Sequence, residues 1–280
     1  MEKSYVLGGI LIAILFLGGF GYWYVTGSYT RTAFLNVESG QVQVDTGSGW
    51  TGAADGMDLS INDKVKTGAG EASVVLYESI IIAIESNSII SIKDLSKAHP
   101  KVEHTLGSTW NKFTGLTGID AFTIETPNTV ATVRGTEFGS DMDGVMVAEG
   151  NVDVKREGKD FDVQGGFKVV EVDGETVKIP LSPEERAKVV TKMKKTMKLM
   201  QNLRMQEIHK KEFAYSQVKS MYDMTDSDVE GYLARADRGE FDLDEVSKKA
   251  PFEIAVMEKV KALTEEVRKQ NRLIATFEQQ

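Results

Sequence analysis

The chain has 280 residues, of which 42 are acidic and 33 are basic, so its formal net charge is −9. It has no cysteine and only three histidines, which excludes disulfides, thiolate nucleophiles, cysteine-ligated zinc and iron–sulfur clusters. The acidic balance argues against a general nucleic-acid-binding protein, and the length allows one or two domains.

Glycine and charge divide the chain into three segments. Residues 1–31 hold six of the 26 glycines, residues 32–180 hold 18, and residues 181–280 hold two. The middle segment carries a net charge of −11 and the last segment a net charge of +1. Glycine-rich acidic sequence followed by sequence rich in Lys, Glu and Met predicts turn-rich β structure followed by helices. We therefore predict an N-terminal segment 1–31, a β domain 32–180 and an α-helical region 181–280.

The first segment predicts a membrane helix. Residues 6–25 contain no charged side chain, and twenty helical residues span about 30 Å, the hydrocarbon thickness of a bilayer. The alternative is a cleaved signal peptide, whose apolar stretch is shorter and ends in small residues. Here an aromatic belt occupies that position and suits the headgroup zone instead: Tyr22, Trp23 and Tyr24. We expect a retained single-pass anchor, with the N-terminus cytoplasmic and residues 32–280 extracytoplasmic.

The middle segment predicts a mainly β fold. Short apolar runs alternate with glycine or Asx turns throughout residues 33–180. Asp143-Gly144 and Glu157-Gly158 are typical of hairpins, and Ile80–Ile84 is apolar on both faces, as in a central strand. For so many short strands, a two-layer β-sandwich or a β-roll is the economical architecture, because it protects strand edges.

A set of motifs in this segment resembles the FecR domain family. The central motif is T-P-N-T-V-A-T-V-R-G-T-E-F, from Thr126 to Phe138. It is preceded by G-Q-V-Q-V at 40–44 and D-x-V-x-T-G at 63–68, and followed by an E-G-x-V-x-V turn and hairpin from Glu149. The resemblance implies an extracytoplasmic module that receives or relays signals, typically through protein–protein contact. In the best-known setting of this family, a membrane helix connects the module to a cytoplasmic region that controls a sigma factor. The short head before the predicted anchor cannot bind a sigma factor, so we expect any signal to pass to a partner.

Arg134 and Glu137 lie three residues apart in the apolar part of this motif. One interpretation is a ligand site, in which the guanidinium binds a carboxylate or phosphate. The interpretation we favour is a buried Arg134 that hydrogen-bonds to Glu137 and to backbone carbonyls where two strands meet. The signature residues are thus candidates for fold and interaction roles, without a catalytic role: Thr126, Pro127, Val133, Arg134, Gly135, Thr136, Glu137 and Phe138.

Two further clusters contain residue types that ligate metals. His99 and His104 could bind a metal, but we expect them in an exposed loop. The D-x-D-G run from Asp141 resembles the start of a calcium loop but lacks the remaining ligands, so a hairpin turn is expected. Neither a phosphate-binding P-loop nor a nucleophile elbow is present. We therefore predict no enzymatic activity, no metal and no cofactor.

The last segment begins with a helix start signal, Ser182-Pro183-Glu184-Glu185, in which serine caps the helix and proline takes its first position. The helix is expected to run to about Asp223, with an apolar stripe interrupted by Arg204. Its first half is basic, through Lys188, Lys192, Lys194, Lys195 and Lys198. We favour the interpretation that this basic half of the helix is solvated or docks on the acidic β domain. Contact with anionic lipid or surface polymer is the alternative.

A second capping cluster, Thr225–Asp228, predicts a short helix that ends at Gly239, and a final helix follows Pro251. The two long helices, 183–223 and 251–277, are expected to form an α-helical hairpin. Its narrow apolar stripe suits pairing within the hairpin, with the β domain or with a partner chain.

These features predict a membrane-anchored, extracytoplasmic, non-enzymatic FecR-domain protein that acts as a binding or signal-relay module. The expected partners are the lipid bilayer, contacted by the N-terminal helix, and proteins or surface polymers, but no nucleic acid. Partner binding or self-association is expected through helices 183–223 and 251–277. The alternative function is a structural component of the cell envelope that self-assembles through the β domain and the helical tail.

Overall fold

The computed structural model describes residues 30–221, 223–240 and 255–279. The predicted anchor and its aromatic belt, Tyr22, Trp23 and Tyr24, lie outside these residues. In the part of the chain that is described, no helix is long and apolar enough to cross a membrane. The chain divides into two compact units, Thr30–Leu199 with Arg272–Gln280, and Met200–Asn271.

The first unit is a β module followed by the start of a helix. Its strands are β1 Ala33–Ser39, β2 Val42–Asp45, β3 Trp50–Gly52, β4 Lys64–Thr67, β5 Glu71–Leu76, β6 Ile80–Ile84, β7 Ile89–Asp94, β8 Lys101–Leu106, β9 Ser108–Phe113, β10 Phe122–Glu125, β11 Thr129–Val133, β12 Glu137–Asp141, β13 Gly144–Glu149, β14 Asn151–Arg156, β15 Lys159–Gln164, β16 Phe167–Val172 and β17 Glu175–Pro180.

These strands form two sheets. One has eight strands in the order β1-β5-β6-β9-β12-β13-β16-β17, and the other has nine in the order β15-β14-β11-β10-β8-β7-β4-β2-β3. Neighbouring strands are antiparallel apart from β8 and β10, which are parallel. The prediction of a mainly β module with two sheets is confirmed.

One hydrophobic core is built from strands of both sheets. Ile80, Ile82 and Ile84 of the eight-stranded sheet belong to the same cluster as Val152 and Val154 of the nine-stranded sheet. Each fully buried side chain of this size contributes about 1.5–3 kcal/mol relative to an exposed one. Every residue of β6 is buried, so its continuous apolar run does mark a strand covered on both faces.

The predicted hairpin turns at two positions are confirmed. Asp141 Oδ1 accepts hydrogen bonds from the backbone N–H groups of Asp143, at 2.9 Å, and Gly144, at 2.8 Å, where β12 turns into β13. β14 and β15 pair through Arg156 and Lys159, with Glu157-Gly158 as the two-residue turn between them. Glu157 and Gly158 both have a positive φ, a conformation that favours glycine, which explains why this dipeptide predicts a hairpin turn.

Four helices follow in the described residues: α1 Pro183–His209, α2 Glu212–Met221, α3 Asp226–Asp237 and α4 Ala255–Glu278. The predicted start of α1 is confirmed, because Ser182 Oγ accepts the Glu185 N–H at 3.3 Å and Glu185 Oε2 accepts the Ser182 N–H at 2.9 Å. The prediction of one helix to Asp223 is wrong. The Lys211 N–H bonds to the Ile208 carbonyl, three residues back, which tightens and ends α1.

Arg204, which interrupts the apolar stripe of α1, holds the second unit together. Its side chain is 3% exposed and forms a two-pronged ion pair with Asp237 of α3, with Nη2 3.0 Å from Oδ2. Nη1 also donates to Thr264 Oγ1 of α4 at 2.8 Å. The charged residue therefore links three helices. Thr225 caps α3 with a reciprocal pair of hydrogen bonds to Asp228, as predicted.

Candidate functional site

The signature motif lies where a two-stranded ribbon passes from one sheet to the other. β11 belongs to the nine-stranded sheet and β12 to the eight-stranded sheet, and β13 and β14 make the reverse passage. Val133 pairs with Val152 before the crossing, and Glu137 pairs with Glu149 after it. The chain turns tightly at Glu149-Gly150, as predicted, but β13 and β14 do not pair as a hairpin, because they lie in different sheets.

Glycine is required where the two crossings touch. Gly150 has a φ of +78°, and a Cβ placed on it would lie 2.7 Å from Thr136 Cγ2 and 3.0 Å from the Gly135 carbonyl oxygen. Gly135 itself has a φ of +65°. Gly150 is thus explained by the close approach of the two crossings, whereas Gly135 is explained by its positive φ, since nothing lies within 4 Å of a Cβ placed on it.

The predicted buried pair of Arg134 and Glu137 is wrong. Arg134 is exposed, whereas Glu137 is completely buried. Strand β11 ends at Val133, whose side chain enters the core, and the corner then turns Arg134 outward. Glu137 instead accepts a hydrogen bond from Trp110 Nε1 at 2.8 Å.

A buried charged centre accompanies Glu137. Lys112, Glu137 and Glu149 are paired in register across β9, β12 and β13. The Lys112 ammonium lies 2.6 Å from Glu149 Oε2 and 3.8 Å from Glu137 Oε2, and Lys112 is 1% exposed. Buried charges are tolerated only when they are paired and hydrogen-bonded. This centre therefore fixes the register of three strands at the corner.

The remaining signature residues also serve the fold. Thr126 and Pro127 lie in the turn between β10 and β11, where Thr126 Oγ1 accepts the Thr129 N–H at 3.1 Å. Phe138 is fully buried in the core, as is Thr136 at the corner. The structure brings Glu137 together with Trp110 and Lys112, but leaves Arg134 apart from them.

A groove lies beside Trp110, between the eight-stranded sheet and the first half of α1. Its cavity volume is about 660 Å³. The strands contribute Trp110, Gly139, Met146, Lys168, Val170 and Ile179, and the helix contributes Glu185, Lys188, Val189 and Lys192. The Trp110 ring packs against Gly139, where an added Cβ would lie 2.8 Å from its Cε3 atom.

Ion pairs join the first half of α1 to the β module. Glu185 lies 2.5 Å from Lys168 of β16, Lys195 lies 2.9 Å from Glu71 of β5, and Lys192 pairs with Glu85. Val189 and Met193 are buried between these pairs. Lys194 pairs with Glu278 at 2.7 Å, whereas Lys188 and Lys198 are exposed.

Residues 63–153 match the model of the FecR protein family. The resemblance predicted from the motifs is confirmed for this segment. The FecR segment runs from the end of the loop before β4 into β14, so it contains the corner, Trp110 and the Lys112 centre.

Two crystal structures of a protein proposed as an anti-sigma factor from Parabacteroides distasonis, at 1.65 and 2.50 Å resolution, are similar to this chain. Each is 15% identical over 42% of this chain, with TM-scores of 0.37 and 0.36. The match spans 59% of the length of that protein. None of the curated proteins matches the chain.

Two residues of the FecR segment have a pKa that is shifted by burial. Burial lowers the pKa of His104 to about 4, and the hydrogen bond that its Nε2 donates to the Leu106 carbonyl, at 2.9 Å, opposes that shift. The exposed loop predicted for the two histidines is correct for His99 and wrong for His104, because β8 begins directly after Pro100. Burial also raises the pKa of Asp141, and its two backbone donors oppose that shift.

Arg156 is a groove residue that the sequence analysis missed. It is 2% exposed, lies at the end of β14, and lines the groove. Its Nη1 donates to Thr129 Oγ1 of the signature turn at 3.1 Å. The sequence pattern could have indicated that Arg156 is buried, because it occupies the same alternating face of β14 as Val152 and Val154.

Proposed function

We propose that this chain is a membrane-anchored, envelope-facing, non-enzymatic protein whose β module binds a protein partner and relays a signal. The observation that carries the proposal is the FecR match at 63–153. The positions of the signature residues support it, because Glu137 and its neighbours form the corner and the buried charged centre and so stabilise the fold. Contact with a partner then falls to exposed residues around the groove, including Lys188, and to the helical region 181–280.

The anchor in this proposal is residues 6–25, with Tyr22, Trp23 and Tyr24 at the outer headgroup zone. It is supported by the length and the uncharged composition of the segment. This arrangement holds the β domain 32–180 and the helical region at the outer surface of the membrane, with the N-terminus in the cytoplasm.

A cysteine-labelling experiment tests the anchor and its orientation. The natural chain has no cysteine, so Asp160→Cys, at an exposed position of β15, introduces a unique thiol. A membrane-impermeant maleimide should label this variant on intact cells, as strongly as after lysis. Labelling only after lysis would contradict the orientation. A variant that lacks residues 1–31 should move to the soluble fraction. Recovery of the full chain in the soluble fraction would contradict the anchor.

Photo-crosslinking in intact cells tests partner binding. A photoreactive phenylalanine analogue replaces Lys188 at the groove, and a matched control variant carries it at Lys159 in the exposed β14–β15 hairpin. We expect a discrete adduct with another protein from position 188 and none from position 159. A ladder of adducts between copies of this chain from both positions would instead support the self-assembling structural component.

A further inference from the structure

Strand β3 leaves one edge of the nine-stranded sheet open. It is the last strand in the order of that sheet, next to β2, and Trp50, Thr51 and Gly52 are all exposed. A free edge presents N–H and C=O groups that can pair with another strand, so proteins usually protect it with charged residues, proline or a covering segment. Residues 46–54 contain neither a charged residue nor a proline.

The other three sheet edges are protected. Backbone hydrogen bonds cover β1, because the Leu35 N–H donates to the Met57 carbonyl at 2.9 Å and the Leu35 carbonyl accepts the Gly56 N–H at 2.8 Å. The outermost strands at the other ends of the two sheets, β15 and β17, carry exposed charged residues and a proline: Lys159, Asp160, Asp162, Lys178 and Pro180. Among the described strands, β3 is therefore the edge without such protection.

The pairing of β3 with β2 shows which backbone groups face the open edge. The Ala53 N–H donates to the Val42 carbonyl at 3.0 Å. Antiparallel strands alternate between hydrogen-bonded and non-hydrogen-bonded pairs. Thr51, two residues before Ala53 and opposite Val44, therefore also directs its backbone groups towards β2. Trp50 and Gly52 direct their N–H and C=O groups to the open edge.

The conformation of β3 is fixed before any partner binds. Asp45 Oδ1 accepts the N–H groups of Gly47 and Gly49, both at 2.9 Å, and so holds the turn between β2 and β3. The Lys66 ammonium lies 4.4 Å from the centre of the Trp50 ring, which keeps the ring on the face of the sheet. A strand that is already ordered loses little conformational entropy when it pairs.

We propose that β3 pairs antiparallel with β3 of a second copy of this chain, in a two-fold register centred on Thr51. In this register Trp50 of each copy lies opposite Gly52 of the other, and the outward N–H and C=O groups of both residues form inter-strand hydrogen bonds. The indole ring then covers the glycine of the opposite strand, where nothing lies within 4 Å of an added Cβ. The second copy is the partner that fits, because the large and small residues of β3 are complementary to themselves and no like charges meet. This contact between copies goes beyond the proposed binding of a different protein.

Disulfide crosslinking of the full-length chain in detergent micelles tests the proposal. The natural chain has no cysteine, so Thr51→Cys introduces one thiol per copy. Directly opposite residues of a non-hydrogen-bonded antiparallel pair have Cα atoms about 4.5 Å apart, a separation that a disulfide can span. On oxidation with copper phenanthroline, we expect a disulfide-linked dimer of Thr51→Cys to form about tenfold faster than in the two controls.

The two controls separate the proposed register from random collision. Ala54→Cys lies at an exposed position near the same edge, but in this register the two copies of residue 54 are about 20 Å apart, too far for a disulfide. Asp160→Cys lies on the opposite edge of the same sheet. Failure of Thr51→Cys to form a dimer, or equal rates for all three variants, would overturn the proposal.

Adding Gly52→Pro to Thr51→Cys tests whether the backbone makes the contact. The Gly52 N–H faces the open edge, so proline removes a donor of the dimer and leaves the pairing with β2 intact. The double variant should form the dimer about tenfold more slowly, with an unchanged midpoint of thermal unfolding. Undiminished crosslinking in this variant would refute strand pairing, and if the variant does not fold, the comparison of Thr51→Cys with Ala54→Cys decides.

Discussion

Lys112 offers the sharpest test of how the FecR signature stabilises the fold. Lys112→Met keeps the length of the side chain and its apolar stem but deletes the ammonium that lies between Glu137 and Glu149. Glu137 is fully buried, so its carboxylate would remain in an environment of low dielectric without the neighbouring cation. We expect a severe loss of stability from this single substitution.

The size of the loss follows from the burial of both partners. Removing one partner of a buried ion pair costs about 3–5 kcal/mol in free energy of unfolding. A loss of about 4 kcal/mol raises the equilibrium constant for unfolding by roughly three orders of magnitude and, at a urea dependence of about 2 kcal/mol per molar, lowers the urea midpoint by about 2 M. Adding Glu137→Gln removes the unpaired charge and keeps an acceptor for Trp110, so the double variant should recover about 1–3 kcal/mol.

Equilibrium urea unfolding of the full-length chain in micelles, followed by tryptophan fluorescence, measures these differences. Lys155→Met is the matched control, because Lys155 is exposed on β14, and it should change the free energy of unfolding by less than about 0.5 kcal/mol. A loss below about 1 kcal/mol in Lys112→Met, or a double variant no more stable than the single one, would refute the role of this centre.

Three further changes test other parts of the molecule. Gly139→Ala places a methyl group 2.8 Å from the Trp110 ring and should lower stability by about 1–3 kcal/mol in thermal unfolding. Gly52→Ala, where nothing lies within 4 Å of the new Cβ, is its control. Arg204→Met leaves a buried carboxylate unpaired and should cost about 3–5 kcal/mol, with loss of helical circular dichroism first. His104 has its pKa lowered by burial to about 4, so the unfolded state binds the proton more readily. Stability should therefore fall from pH 6.5 to pH 4, by up to about 3 kcal/mol, and level off below. His104→Gln should flatten that dependence; an unchanged profile would contradict the assignment.

Elements set by local sequence were predictable. The Glu157-Gly158 turn and the capping residues Ser182 and Thr225 depend on backbone geometry within a few residues, and all three are where the sequence places them. The run Ile80–Ile84 also predicted a strand buried on both faces, because no polar residue interrupts it.

Partners set by strand register were not predictable in the same way. Glu137 meets Lys112, which is 25 residues away in the chain, because β12 lies beside β9 in the eight-stranded sheet. In the sequence, Arg134 is the basic residue closest to Glu137 and therefore looks like its partner. In the structure, the chain turns at Gly135 and Arg134 is exposed to solvent. The end of α1 at His209 was missed for a different reason: a local hydrogen bond from the Lys211 N–H to the Ile208 carbonyl ends the helix, and neither glycine nor proline marks the position.

The position of the groove relative to the FecR segment bears on what the family match can say about binding. The segment ends at residue 153 and contains the corner and the Lys112 centre. Arg156 and the α1 residues Lys188 and Lys192 lie beyond it, yet they line the groove. A surface assembled partly from residues outside the matched segment can vary while the corner stays the same. We therefore expect the choice of a protein partner to change with substitutions at Lys188, whereas substitutions at Glu137 change stability and leave that choice unaltered.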